Sequence, residues 1–132
     1  IAHFLKIEKI SNARLVKSLP KDQYLALLRT MDVGLIFLDH RFTIPNFPSR
    51  LLDYLDASLP VIAATDAVTD VGLVLERSGA GLCCQSDDVV AFLECVNKMK
   101  DEKSRISYVK PAYRLLLSDF DPIRSVDIIL KE

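Results

Sequence analysis

The run Asn46-Phe47-Pro48-Ser49-Arg50-Leu51-Leu52-Asp53-Tyr54-Leu55, followed closely by Ala57-Ser58-Leu59-Pro60-Val61-Ile62-Ala63-Ala64, reads as loop, helix, tight turn and buried strand. A proline and a serine opening a helix leave backbone N–H groups unpaired and aimed outward at the positive end of the helix dipole. That arrangement suits an anion such as a diphosphate. Arg50 lies in the first turn, and Asp53, three residues on, falls on roughly the same face. A cation and a carboxylate that accepts from hydroxyls can therefore meet one ligand, and phosphate beside sugar hydroxyls describes a nucleotide. The same residues also read as ordinary helix capping with a surface ion pair worth roughly a few tenths of a kcal/mol.

Outward from this block the alternation repeats. Asp32-Val33-Gly34-Leu35-Ile36-Phe37-Leu38 is a continuous apolar run, as expected of a strand covered on both faces in a parallel sheet. Pro60 to Ala64 repeats that signature and Gly81 to Cys84 is a third, shorter copy. Pro20 opens a helix with Tyr24, Leu25, Leu27, Leu28 and Met31 as an inward stripe. Further helical patterns run from Ser49 to Ala57, from Thr69 to Arg77, and from Asp88 to Met99 behind an Asp87 or Ser86 cap. Ala13 to Lys17 is a short strand candidate. Glu102 to Ser118 is helical with a kink or break expected near Pro111, and Asp121 caps a last helix that begins at Pro122. This alternation predicts an α/β domain, a Rossmann-like doubly wound parallel sheet flanked by helices. Such sheets bind ligands outside the carboxyl ends of their strands, which points to residues 18–20, 39–47, 65–70 and 85–87. The 39–47 segment is polar, long enough to fold over a ligand, and runs directly into the Pro48 helix.

A chain of 132 residues that is 50% hydrophobic is the size of one ordinary domain and can bury a core. Lysine and arginine total 17 against 18 aspartates and glutamates, a net charge of -1, so no extended basic face for a nucleic acid is expected. Cys83, Cys84 and Cys95 lack the C-x-x-C spacing of zinc or redox sites and read as reduced, largely buried cytosolic thiols. No apolar run approaches the ~20 residues that span a bilayer, and the start carries no signal-peptide pattern. The start reads instead as a cut inside a larger protein, with Phe4, Leu5, Ile7 and Ile10 already at helical intervals.

The block from Asn46 to Ala64 resembles the donor-binding segment of GT-B glycosyltransferases, especially the family-4-like enzymes that build bacterial polysaccharides. Their pattern is roughly Pro-Ser/Asn-Lys, a Glu-Tyr or Glu-Ala helix, then Gly-x-Pro-Val-Ile. The resemblance implies that residues 1–132 form a single nucleotide-sugar-binding domain, the C-terminal half of a GT-B architecture truncated at its N-terminal edge, with the acceptor-binding domain absent. It implies that Asn46, Phe47, Pro48, Ser49, Arg50 and Leu51 surround the diphosphate, with Arg50 stabilising the leaving group as the catalytic residue. Asp53 would hold the ribose, backbone near Ser18 and Leu19 would face the base, and Thr65 would contact the ligand. The donor would be a UDP- or GDP-linked sugar, with no cofactor. No metal is expected, because a helix terminus and Arg50 can stabilise the departing diphosphate. The acceptor would be a glycan or lipid-linked glycan reached through the missing domain. The isolated chain would be inactive, since the active site forms between two domains. The full-length enzyme would be cytoplasmic, with peripheral association at the inner face of the membrane left open. Two positions depart from the pattern: the family's first acid falls on Pro45, which removes the residue expected at the transferred sugar, and Ser58 stands where glycine is usual.

Other readings stay beside this one. Asp39 and Thr65 end successive strands as in response-regulator receivers, but Ser18-Leu19 and Gln85 stand where the acidic pair and the lysine of a phosphorylation site belong. A degenerate receiver-like signalling domain and a GT-B sugar-nucleotide epimerase are the alternatives. His40 and Arg41 read as loop surface, Thr65 and Asp66 equally as the cap of the next helix, and Gly79 and Gly81 as turn glycines supplying positive φ. Tyr54 is expected to pack its ring in the core.

Overall fold

Three short strands carry the architecture. In a computed structural model that describes residues 11–130, β1 (Gly34–Phe37), β2 (Val61–Thr65) and β3 (Gly81–Gln85) form a parallel sheet in the order β1-β2-β3. Gly34 pairs with Val61 and Val61 with Gly81. Around them lie α1 (Lys21–Leu28), α2 (Arg50–Asp56), α3 (Val71–Ser78), α4 (Val89–Lys100), α5 (Glu102–Asp119) and α6 (Pro122–Ile129). The three predicted strands and the helices between them are present, and the layout is compatible with a Rossmann-like fold. The apolar pattern at the start of the chain lies outside the described residues. Among the described residues no helix is long and apolar enough to cross a membrane.

β2 is buried along its whole length, as its unbroken apolar run demands. Ile36, Val61 and Ala63 form one core with Leu51 and Leu55 of α2, Val71 and Leu75 of α3, and Ala112 and Leu115 of α5. The opposite face is covered by α4, whose Phe92 ring lies 5.0 Å from that of Phe37.

β1 departs from expectation. Its residues alternate between buried and exposed, with Leu35 41% and Phe37 57% exposed. The strand is at the edge of the described sheet and α4 shields that face only in part, so an apolar run predicted to be covered twice is covered once.

Two strand approaches are built by the same device. At the end of α3, Gly79 takes φ 69, its N–H donates to the Glu76 carbonyl, and the Ala80 N–H donates to the Leu75 carbonyl at 2.9 Å. At the end of α2, Ser58 takes φ 57, its N–H donates to the Leu55 carbonyl, and the Leu59 N–H donates to the Tyr54 carbonyl at 2.9 Å. The residue that stands where glycine is usual thus adopts the left-handed backbone that glycine favours. Gly81 has a different role from the one predicted, because its φ is not positive. A Cβ there would lie 2.1 Å from the Val61 carbonyl oxygen, so only glycine lets β2 and β3 approach.

Several local expectations are corrected. Ala13 to Lys17 joins no strand of the described sheet and is exposed, with no backbone partners among the described residues of the kind a strand needs. Of the α1 stripe only Leu28 is buried, while Leu27 and Met31 are exposed, because α1 touches the domain mainly through α2. α4 is capped by Asp88, which accepts from the Ala91 N–H at 2.9 Å, rather than by Asp87 or Ser86. α5 runs unbroken through Pro111. Ser107, whose carbonyl loses its helical partner there, is exposed to water, and the Pro111 ring packs beside Gly79. Asp121 caps α6 as expected, accepting from the Ile123 N–H at 2.9 Å.

Candidate functional site

Most of the predicted site residues lie on the loop that follows β1 and on α2, while Leu19 precedes α1 and Thr65 ends β2. The loop is held along its length. Asp39 accepts from the Arg41 backbone N–H at 3.0 Å and from its Nε at 2.8 Å, and this pairing holds the Asp39 carboxyl well below the usual carboxylate range. His40 is exposed, 3.8 Å from the same carboxylate. From Arg41 to Asn46 the loop borders an open depression of about 410 Å³. The Asn46 N–H donates to Thr69 Oγ1 at 3.2 Å, and the Phe47 ring rests 5.5 Å from that of Phe120. Asn46 therefore offers a ligand only its side chain and carbonyl.

Pro48 and Ser49 lead into α2 as their sequence implies, but fewer amides are left over than expected. The Leu51 N–H donates to the Pro48 carbonyl at 3.0 Å and the Leu52 N–H to the Ser49 carbonyl at 3.1 Å. Ser49 makes no side-chain cap and has helical φ and ψ. The N–H groups of Ser49 and Arg50 remain without a partner among the described residues. α2 is seven residues long, so its dipole is short, and the Arg50 charge must supply most of any attraction for an anion. Arg50 is exposed. Leu51 is 0% exposed and sits in the core, so its side chain fixes the helix and does not face a ligand.

Asp53 is half-buried and acquires a partner that periodicity does not reveal. The Tyr24 phenol of α1 lies close enough to the Asp53 carboxylate to feel its charge. Burial first, and then the negative charge of Asp53, push the Tyr24 phenol above its ordinary value, with Arg50 near enough to oppose them. Tyr24 also lines an open depression of about 420 Å³ with Val16, Lys17, Ser18, Leu19 and Leu27. Leu19, Asp53 and Arg50 are thereby brought into one neighbourhood through Tyr24. Tyr54 packs as expected: its ring lies over Gly34 and its hydroxyl donates to the Leu35 carbonyl at 3.3 Å.

Thr65 is placed differently from Leu19. It is 4% exposed, its carbonyl accepts from the Ser86 N–H at 2.9 Å, and its Oγ1 faces Gly72. Its neighbour Asp66, 1% exposed, accepts from the Val68 N–H at 3.0 Å, the Thr69 N–H at 2.8 Å and the Thr69 hydroxyl at 2.9 Å. Burial pushes the Asp66 carboxyl up, but these donors outweigh it and hold the group below its ordinary value. Asp66 therefore organises the turn before α3. Tyr24 and Thr69 are the residues that sequence reading missed. For Thr69 a signal existed, since an aspartate followed three residues later by a threonine is a side-chain-to-backbone turn pattern.

Of the free cysteines, Cys83 and Cys84 lie in β3 and Cys95 on α4, and all three are half-buried. Burial pushes the Cys83 and Cys84 thiols up to about 11, and Cys83 has Glu76 beside it as well. Thiols in this state are poor nucleophiles and poor metal ligands. Comparison of the chain with protein-family models, with curated proteins and with solved structures finds no match.

Proposed function

We propose that this chain is the donor-binding domain of a GT-B glycosyltransferase, which binds a nucleoside-diphosphate sugar for transfer of the sugar to a hydroxyl of a glycan or lipid-linked glycan. The observation that carries the reading is the convergence at Tyr24. The ring borders the depression beside Ser18 and Leu19, and its phenol feels the charge of Asp53, one helical turn from Arg50. A base, a ribose and a diphosphate occur in that order in a sugar nucleotide, and the nearness of Tyr24 to residues assigned to each supports the reading.

On this reading Asp53 accepts from the ribose hydroxyls while Tyr24 lies beside its carboxylate. Arg50 and the free amides of Ser49 and Arg50 meet the diphosphate. During transfer the bond between the anomeric carbon and the diphosphate oxygen breaks, a bond to the acceptor oxygen forms, and the acceptor proton passes to a base on the acceptor side. Arg50 neutralises charge that grows on the departing diphosphate, which is where a cation contributes most to rate. No observation favours the receiver-like alternative, since Asp39 is engaged by Arg41 and Thr65 is buried.

The test is a titration of the chain with UDP, GDP and ADP, followed by protein-observed NMR, with Arg50→Ala alongside. Saturable binding of one nucleotide is expected. A charge-assisted hydrogen bond contributes about 1.5–3 kcal/mol, so Arg50→Ala is expected to weaken binding by roughly 10- to 150-fold. Binding that is indifferent to Arg50 would remove its diphosphate role, and no binding of any of the three would remove the donor reading.

A further inference from the structure

Thr69 stands outside every residue assigned to the ligand, yet it is a point where the ligand loop is tied to the rest of the domain. Asp66 is 1% exposed and accepts three hydrogen bonds, all of them from Val68 and Thr69. An ionised carboxylate can only accept, so the single hydroxyl proton of Thr69 is committed to Asp66 Oδ2 at 2.9 Å. Thr69 Oγ1 is left with lone pairs alone, and one of them takes the Asn46 N–H at 3.2 Å across 23 residues of sequence. The direction of every bond in this chain is thus fixed by the charge at its buried end. Asn46 lies four residues before Arg50, with Pro48 limiting the freedom of the segment between them.

We propose that Thr69, locked by Asp66, is the positioning residue of the ligand loop: by holding the Asn46 amide inward it sets how the Asn46 carbonyl and side chain, just ahead of α2, meet a nucleoside diphosphate, without touching that ligand. The inference rests on the donor-binding reading for its ligand, but the hold on Asn46 is a separate, measurable property. A second contact, of Phe47 with Phe120, pins the next residue and leaves the Thr69 bond as the polar half of the clamp.

Thr69→Val keeps the shape and removes the hydroxyl, and Thr69→Ser keeps the hydroxyl. Both are compared with the unaltered chain by amide hydrogen exchange at residues 46–50, by titration with UDP, GDP and ADP, and by thermal melting. Thr69→Val is expected to speed exchange at Asn46 and weaken nucleotide binding about tenfold, with Thr69→Ser close to the unaltered chain in both. Exchange at Asn46 unchanged by Thr69→Val overturns the proposal. So does faster exchange with undiminished binding, which would make Thr69 a purely structural residue. If Thr69→Val does not fold, the Thr69→Ser comparison decides: a serine that loses both Asn46 protection and binding overturns the proposal. If the unaltered chain binds none of the three nucleotides, the donor reading falls by itself and exchange at Asn46 alone decides whether Thr69 holds the loop.

Discussion

Ser58→Gly is expected to stabilise the protein. Ser58 sits at φ 57, in the same helix-ending pattern that Gly79 forms at φ 69. A residue with a Cβ held in left-handed backbone costs about 1–2 kcal/mol relative to glycine. Glycine returns part of this, because it widens the unfolded ensemble by about 0.4–1 kcal/mol. The difference leaves a gain of about 0.5–1 kcal/mol, or a rise in Tm of roughly 2–4 °C for a domain of this size. The fold supplies its own control. A Cβ at Gly79 would meet nothing closer than Pro111 Cβ at 3.7 Å, so Gly79→Ala suffers no clash and should lose about 1 kcal/mol by backbone strain alone. Paired melts in urea and on heating compare the two variants. A Ser58→Gly that melts below the unaltered chain while Gly79→Ala behaves as expected would refute the strain argument and assign the Ser58 side chain a bond of its own.

Gly81→Ala would drive a Cβ to 2.1 Å from the Val61 carbonyl oxygen, and a backbone atom in a paired strand cannot rotate away. The loss should be at least about 3 kcal/mol, beyond ordinary overpacking; a urea midpoint that moves by less than the equivalent of about 1 kcal/mol would contradict the strand spacing. Tyr24→Phe removes the hydroxyl that stands near Asp53 and should weaken nucleotide binding about fivefold, as loss of one hydrogen-bonding group at the site implies; unchanged titration would dissociate Tyr24 from the site. The Cys83 and Cys84 thiols, raised from an ordinary 9.0 to about 11, should be alkylated at pH 8 roughly a hundredfold more slowly in the folded chain than after unfolding, a contrast that mass spectrometry resolves. The fold favours their neutral form, so their contribution to stability is in place below pH 9 and is lost as the pH rises through about 11.

How much was legible in the sequence depended on how far apart the deciding atoms lie along the chain. The alternation of strands and helices, the burial of β2, the Asp121 cap and the left-handed glycine at 79 were all readable, because each follows from periodicity or backbone geometry within a few residues. Ser58 stood out only through the resemblance, which puts a glycine at that position. Other features needed the tertiary structure. Leu35 and Phe37 are as apolar as the residues of β2, and only the position of β1 at the edge of the described sheet leaves them exposed. Pro111 looked like a kink or break, yet a solvated turn on one side and Gly79 on the other let α5 continue without a break. In the candidate site, the sequence by itself placed Arg50 and Asp53 on one helical face, since a helix turn is local. It was packing between elements that sent Thr65 into the interior, joined Tyr24 to Asp53 and tied Asn46 to Thr69, because the burial of a side chain and the direction of a hydrogen bond are set by neighbours that the chain brings back from a distance.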